Sequence, residues 1–401
     1  MKRILLYIRK CITLKKGGRR VLLISLCNAI LLLFLAYFLN NQPLFTGEDL
    51  NQYAWMEYIK KKVGLSESVD YKDAIFINVS YDKQLVEKCD EYGMPIGNVD
   101  ITDREKILDL LNMLEGSNQY RYVILDVRFE KGFRSDIDSV LFAKILGMNN
   151  IVIANHEDIE LADSALSVKA AISDYASTIV ATNFARYKYL YGKNPSVPLT
   201  VYKNLTGNTI TKHGLFYTSG GKLCQNSLFL HFPTEGFAEY DENGNKAYYN
   251  LGSDILDNYS ASELATLCKN KFVFIGDVVE DVHDTYSGLK PGIIITYHAL
   301  SSLFKGEHIV PSGLMLFLAI VFFLISLSLF REKSIIENIP FVRHSRSRTL
   351  HFLLSFMGYA TVLFVMVIAL NLFFGVTISI LVPSLFFAIQ KTIINFKRLK
   401  I

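Results

Sequence analysis

Lys271-Phe272-Val273-Phe274-Ile275-Gly276-Asp277 is a short apolar run opened by a cation and closed by a glycine and a carboxylate. It is too short for an independent helix and shows no polar–apolar alternation. It therefore reads as a strand covered on both faces. Comparable runs occur at Ala74-Ile75-Phe76-Ile77-Asn78-Val79, Tyr122-Val123-Ile124-Leu125-Asp126-Val127, Ile151-Val152-Ile153-Ala154 and Leu228-Phe229-Leu230-His231-Phe232. Helical patterns lie between them. Thr102, with Glu105 three residues later, predicts a capped helix through Leu114. Others are expected over Asp136–Leu146, over Ser260–Cys268 with Ser260 or Ser262 as its cap, and over Ile293–Phe304, the last stopped by Gly306. Strands alternating with helices at this spacing predict an α/β domain with a largely parallel or mixed sheet. Residues 164–260, rich in Tyr, Asn and Gly with a turn at Asn243-Gly244, read as an insertion of loops and edge strands. Residues 45–70 read as a helical stalk.

Outside this domain the composition changes. The 401 residues are 51% hydrophobic and 20% charged, with mean hydropathy +0.25. An ordinary soluble domain carries about 25% charge. Asp, Glu, Lys and Arg are absent from Val21 to Gly47, from His308 to Phe330 and from Thr349 to Gln390. A membrane-spanning helix needs about 20 apolar residues. Residues 21–39 and 311–330 each supply one span. Leu350–Gln390 is too long for one and divides near Asn371–Gly375 into 350–371 and 375–390. The last contains Pro383 and is short, with Lys391 placed to snorkel. Four α-helical transmembrane spans are thus expected. The first is expected to be an uncleaved anchor, since its apolar core is too long for a signal peptide and no small-residue cleavage site follows.

Charge orients these spans. The basic N-terminus (1–20) carries +8, the loop 331–349 carries +3 and the tail 391–401 carries +4. Against +4 for the whole chain, this leaves −11 on residues 40–310. Positive flanks stay cytoplasmic. Both termini and the 331–349 loop are therefore expected inside, with 40–310 extracytoplasmic: a multi-pass protein of the cell (inner) membrane whose large domain is periplasmic or extracellular. An acidic folded domain argues against nucleic acid as a partner. The absence of charge within the spans argues against a transporter or channel formed by this chain alone. Cys89, Cys224 and Cys268 fall in the outer domain and allow at most one internal disulfide.

Ligands of parallel sheets bind beyond the carboxyl ends of the strands. Asp126 and Asp277 close two of the expected strands. Arg128 follows the first, and Asp281, His283 and Asp284 follow the second. These six are the candidate ligand-binding residues. The competing and slightly favoured reading is that the same groups pair internally and cap helix termini. The Asp281-x-His283-Asp284 spacing is not an established zinc pattern, and neither a nucleophile elbow nor a phosphate loop occurs. No catalytic residue, metal or cofactor is assigned, and the chain is not expected to be an enzyme.

The order of these motifs resembles the CHASE2 family of bacterial extracytoplasmic sensory domains, which carry one span before the domain and three after it. The resemblance rests on Lys271–Asp277, Asp284-Thr285, Pro291-Gly292 and Leu303-Phe304-Lys305-Gly306, on Ile124–Phe129 with Asp138 and Phe142, and on Ile77-Asn78-Val79. Asn78 stands where Asp is more usual. His298-Ala299 matches the first two places of a His-Ala-Asn run, and Leu300 departs at the third. The resemblance implies a sensory role in signal transduction. Family members usually continue into a cytoplasmic output domain, whereas here eleven residues follow the last span, so a separate signalling partner at the membrane or in the cytoplasm is expected. Arg343, Arg346 and Arg348 are the candidate partner contacts, with binding to anionic lipid an equal reading. The stimulus would be an unknown small-molecule or protein ligand outside, and homo-oligomerisation is left open. The competing reading is a non-catalytic structural or assembly subunit of a membrane complex.

Overall fold

The computed structural model describes residues 18–41, 48–62, 64, 71–90, 92–116, 119–174, 184, 186–232, 237–240, 244–331, 348–374 and 378–398. Arg343 and Arg346 lie outside them, as do Cys11 and Asn243. Two units form, one of Gly64–His308 and the other of Met1–Val63 with Ile309–Ile401.

In chain order the second of these contributes α1 (Gly18–Asn40) and α2 (Glu48–Lys62). The α/β unit follows with β1 (Ala74–Asn78), an exposed hairpin of β2 (Lys83–Cys89) and β3 (Pro95–Thr102), and α3 (Arg104–Glu115). Next come β4 (Tyr122–Asp126), α4 (Asp138–Gly147), β5 (Ile151–Asn155) and β6 (Ala170–Ile172). The middle of the unit holds β7 (Arg186–Lys188), α5 (Val197–Thr206), β8 (Ser227–Phe229) and β9 (Tyr249–Asn250). It closes with α6 (Ala261–Leu267), β10 (Phe272–Gly276), the hairpin β11 (Val282–Thr285) and β12 (Gly288–Pro291), and α7 (Gly292–Lys305). Helices α8 (Ser312–Phe330), α9 (Arg348–Phe374) and α10 (Leu381–Arg398) complete the chain.

Six strands form one parallel sheet in the order β9-β1-β10-β4-β5-β6. Side chains alternate across it, which explains the continuous apolar runs. Ile75, Ile77, Val123, Leu125, Val273 and Ile275 face α3, α4 and α6. Phe76, Tyr122, Ile124, Phe272 and Phe274 face α5 and α7. Both faces are therefore dry, as parallel sheets require.

Several expectations are corrected in detail. The first helix is capped by Asp103, whose carboxylate accepts from the backbone N–H of Glu105 and Lys106. Thr102 is held in β3 opposite Lys83, so the cap falls one residue later. The second helix starts at Asp138 because its carboxylate accepts from Ser135 N–H and closes a turn first. Leu228 belongs not to the main sheet but to β8, which pairs antiparallel with β7. The supposed insertion supplies β6, β9 and α5 to the central layers. By contrast Ser260 forms a full capping box with Glu263, and Gly306 ends α7 at φ +74°. Cys89, Cys224 and Cys268 are free thiols.

In the other unit, Gly18–Asn40, Ser312–Phe330 and Phe352–Leu372 are long and apolar enough to cross a membrane. Ala29, Leu32 and Ala36 of α1, Leu318, Phe322 and Ile325 of α8, and Leu363 and Val367 of α9 form their common core. The Asn28 amide donates to Ser326 Oγ (2.8 Å), and Gln390 donates to Asn28 Oδ1 (2.7 Å). A polar knot thus joins α1, α8 and α10. The fourth apolar stretch, Leu381–Ile394, is shorter. Pro383 sits in its first turn, where proline starts a helix rather than breaks one. The helix then runs through Lys391, which is buried rather than snorkelling at an end.

Candidate functional site: a crevice at the strand carboxyl ends

Strand β10 lies between β1 and β4. The chain leaves β1 and β4 for α3 and α4 on one face, and leaves β10 for α7 on the other. Neighbouring strands that part in this way open a crevice at their carboxyl ends. Asp126 ends β4 there, in register with Gly276 of β10. A Cβ on Gly276 would fall 2.4 Å from Ile293 Cγ2 and 3.1 Å from Asp126 Cβ. Only glycine lets α7 cross this close to the sheet.

The β10–β11 loop brings Asp281, and β11 brings His283, to the same place. His283 Nε2 lies 3.2 Å from Asp281 Oδ1. Gly292 N–H, the first of α7, donates to the Asp281 carbonyl (2.9 Å), and a Cβ on Gly292 would meet Asp281 Oδ2 at 2.3 Å. The carboxylate therefore rests against the positive end of the helix. Burial first, and then the charge of Asp281, push the Asp126 carboxyl up to about 7, against the opposing pull of His156, His283 and Arg128. Near neutral pH it can donate a hydrogen bond as well as accept one.

His156, directly after β5, extends the crevice, and its Nδ1 lies 2.7 Å from Asp174 Oδ1. Glu157 N–H donates to the other oxygen of Asp174 (3.0 Å). From β7, the buried Tyr187 hydroxyl lies beside Ser196 and within electrostatic reach of Asp126. Burial holds its pKa well above the usual tyrosine value.

The remaining sequence candidates stand apart. Asp277 is engaged in its own loop: it accepts from Ser80 Oγ (2.5 Å), from the N–H of Val279 and Glu280, and from Lys83 Nζ (3.1 Å). Burial pushes this carboxyl up, but those hydrogen bonds outweigh it and hold the pKa below the ordinary carboxylate range. Asn78 joins the same network, accepting from Ser80 Oγ and Val278 N–H and donating to Asn250 Oδ1. An Asp at this position would share one serine hydroxyl with Asp277, two like charges on one donor. Arg128 is exposed, and its carbonyl accepts from buried Arg104, which also faces Asp138 at 3.6 Å and Phe129. Arg104 thereby positions the loop behind Asp126. Asp284 is exposed on β11, with its carbonyl accepting from Phe184 N–H. Arg348 opens α9. His298 is a core residue: Tyr71, Tyr297 and Phe232 surround it, and burial lowers its pKa to about 3.

The structure thus brings together Asp126, Asp281 and His283, with Arg128 near enough to act on Asp126. His156, Asp174 and Tyr187 were not legible as members. His156 follows an expected strand and obeys the rule that picked out Asp126. Asp174 follows a three-residue strand too short to recognise, and Tyr187 carries no local signal. Among the described residues no three His, Cys, Asp or Glu side chains group as a metal site. The mixed donors and acceptors suit a small polar ligand. Comparison with family models, with curated proteins and with solved structures returned no significant match.

Proposed function

We propose that the chain is a membrane-anchored sensory input protein of the CHASE2 kind. Its α/β unit faces away from the cytoplasm, binds its stimulus in the Asp126–Asp281–His283 crevice, and signals across the membrane to a separate partner. The observation that carries this reading is the crevice itself: a half-buried carboxyl between loops that diverge to opposite faces, in a chain with three helices apolar and long enough to span a bilayer. The close approaches at Gly276 and Gly292 give the Ile-Gly and Pro-Gly motifs of the resemblance a steric reason. The fourth apolar helix completes a four-span topology with both termini inside. A ligand moves such a system only by preferring one of two conformations, and loops on opposite sides of one crevice offer that difference.

A photo-crosslinker at positions 343 and 346 in native membranes, followed by mass spectrometry, tests the proposal. Capture of one kinase, cyclase, protease or regulator is the expected result. Recovery of copies of the chain alone, or of structural proteins of the outer compartment, favours an assembly subunit instead.

A further inference from the structure

The amino ends of the central strands carry a second recess. Asp73 before β1, Arg121 before β4 and the first residue of β10, Phe272, line a cleft of about 270 Å³ with Ser301, Phe304 and Lys305 of α7. The Arg121 guanidinium carbon stands 4.5 Å from the ring centre of Phe272 and 4.6 Å from that of Phe304. Both rings lie within cation–π range of the guanidinium and restrict where it can sit. Ser301 and Lys305 are four residues apart and so share one face of α7. Neither Arg121 nor Lys305 has a salt-bridge partner among the described residues. The one carboxylate in the cleft, Asp73, accepts the Tyr297 hydroxyl at 2.8 Å.

We propose that this cleft binds a phosphate-bearing anion, held by the Arg121 guanidinium, the Lys305 ammonium and the Ser301 hydroxyl above a floor of Phe272 and Phe304. A planar fork, a point charge and a hydroxyl arriving from two elements suit a tetrahedral oxyanion better than a flat carboxylate. The carboxyl end of α7 carries partial negative charge that Lys305 offsets, so Arg121 supplies most of the attraction. The apolar floor suits a ligand with a hydrocarbon portion beside its phosphate. Lys305 precedes Ser312, the first residue of an apolar helix long enough to span a membrane, by seven residues. Free phosphate and a phospholipid headgroup present the same chemistry.

The test uses the full chain in a neutral detergent. Thermal unfolding is followed while inorganic phosphate, or separately a short-chain phosphatidylglycerol, is titrated, with a short-chain diacylglycerol as the phosphate-free control. The expected result is a rise in melting temperature with a phosphate-bearing probe and none with the control. In R121Q the half-saturating concentration should rise about tenfold or more. A response to inorganic phosphate assigns the free anion, and a response to the phospholipid alone assigns a headgroup. No rise with either probe, or an unchanged half-saturation in R121Q, overturns the proposal. Should R121Q fail to fold, K305Q is read by the same criterion.

Discussion

Asp126→Asn removes one ionisable group from the crevice and preserves its shape. The folded chain holds the Asp126 carboxyl at about 7, up from 3.8. That difference of about 3 units corresponds to a ceiling of about 4 kcal/mol. Part of that rise comes from the neighbouring charge of Asp281 rather than from burial, so a working figure is about 2 kcal/mol. The sign follows from proton binding. The folded state holds this proton more tightly than the unfolded state, so the wild-type chain loses stability as pH rises from about 4 to about 7 and stays at the lower level above. The variant lacks this loss. Its advantage should be near zero at about pH 4, grow through the interval and level off above about pH 7. For a unit of this size that plateau equals roughly 4–8 °C in melting temperature. Thermal unfolding of the full chain in neutral detergent, run as a pH series for both proteins, reads it directly. A difference that does not change with pH refutes the reasoning. So does a variant less stable than wild type above pH 7, since ionised Asp126 would then have a favourable partner.

Gly276→Ala places a methyl 2.4 Å from Ile293 Cγ2 and should cost about 1–3 kcal/mol in denaturant unfolding. Combining it with Ile293→Ala should cost less than the two single changes added. Arg104→Met leaves Asp138 without its buried cation and should destabilise by about 3 kcal/mol, with Arg104→Met/Asp138→Asn recovering part of that loss. Asn28→Leu breaks the α1–α8–α10 knot and should lower resistance to dodecyl sulfate unfolding by about 1 kcal/mol. An unchanged unfolding midpoint would show that the knot contributes nothing to the bundle.

The central layers were legible because burial writes itself locally. Strands covered on both faces must be apolar throughout, and those at Ala74, Tyr122, Ile151 and Phe272 were recognised for that reason. Ser260 and Gly306 were legible because capping uses neighbours in sequence. The structure departs from local pattern where a long-range partner decides. Thr102 is drawn into β3 by its pairing with Lys83. β6 and β9 are only two or three residues long and exist because a neighbouring strand offers its edge. The site shows the same division. Strand-end acids could be located from sequence, but Asp277 turned inward to Ser80 while Asp126 stayed in the crevice. Nothing local distinguishes those outcomes, because Ser80 reaches Asp277 across the sheet from 197 residues away in the chain.

The claim that the α/β unit and the basic inner segments lie on opposite sides of a membrane is tested most directly by side-specific labelling. Single cysteines replace exposed Lys212 in one chain and Ser345 in another, after the five native cysteines are changed to serine. Spheroplasts are treated with a membrane-impermeant maleimide before and after permeabilisation. Position 212 should label at once and position 345 only after permeabilisation. Labelling of both positions on the same side of the membrane would contradict transmembrane signalling by this chain.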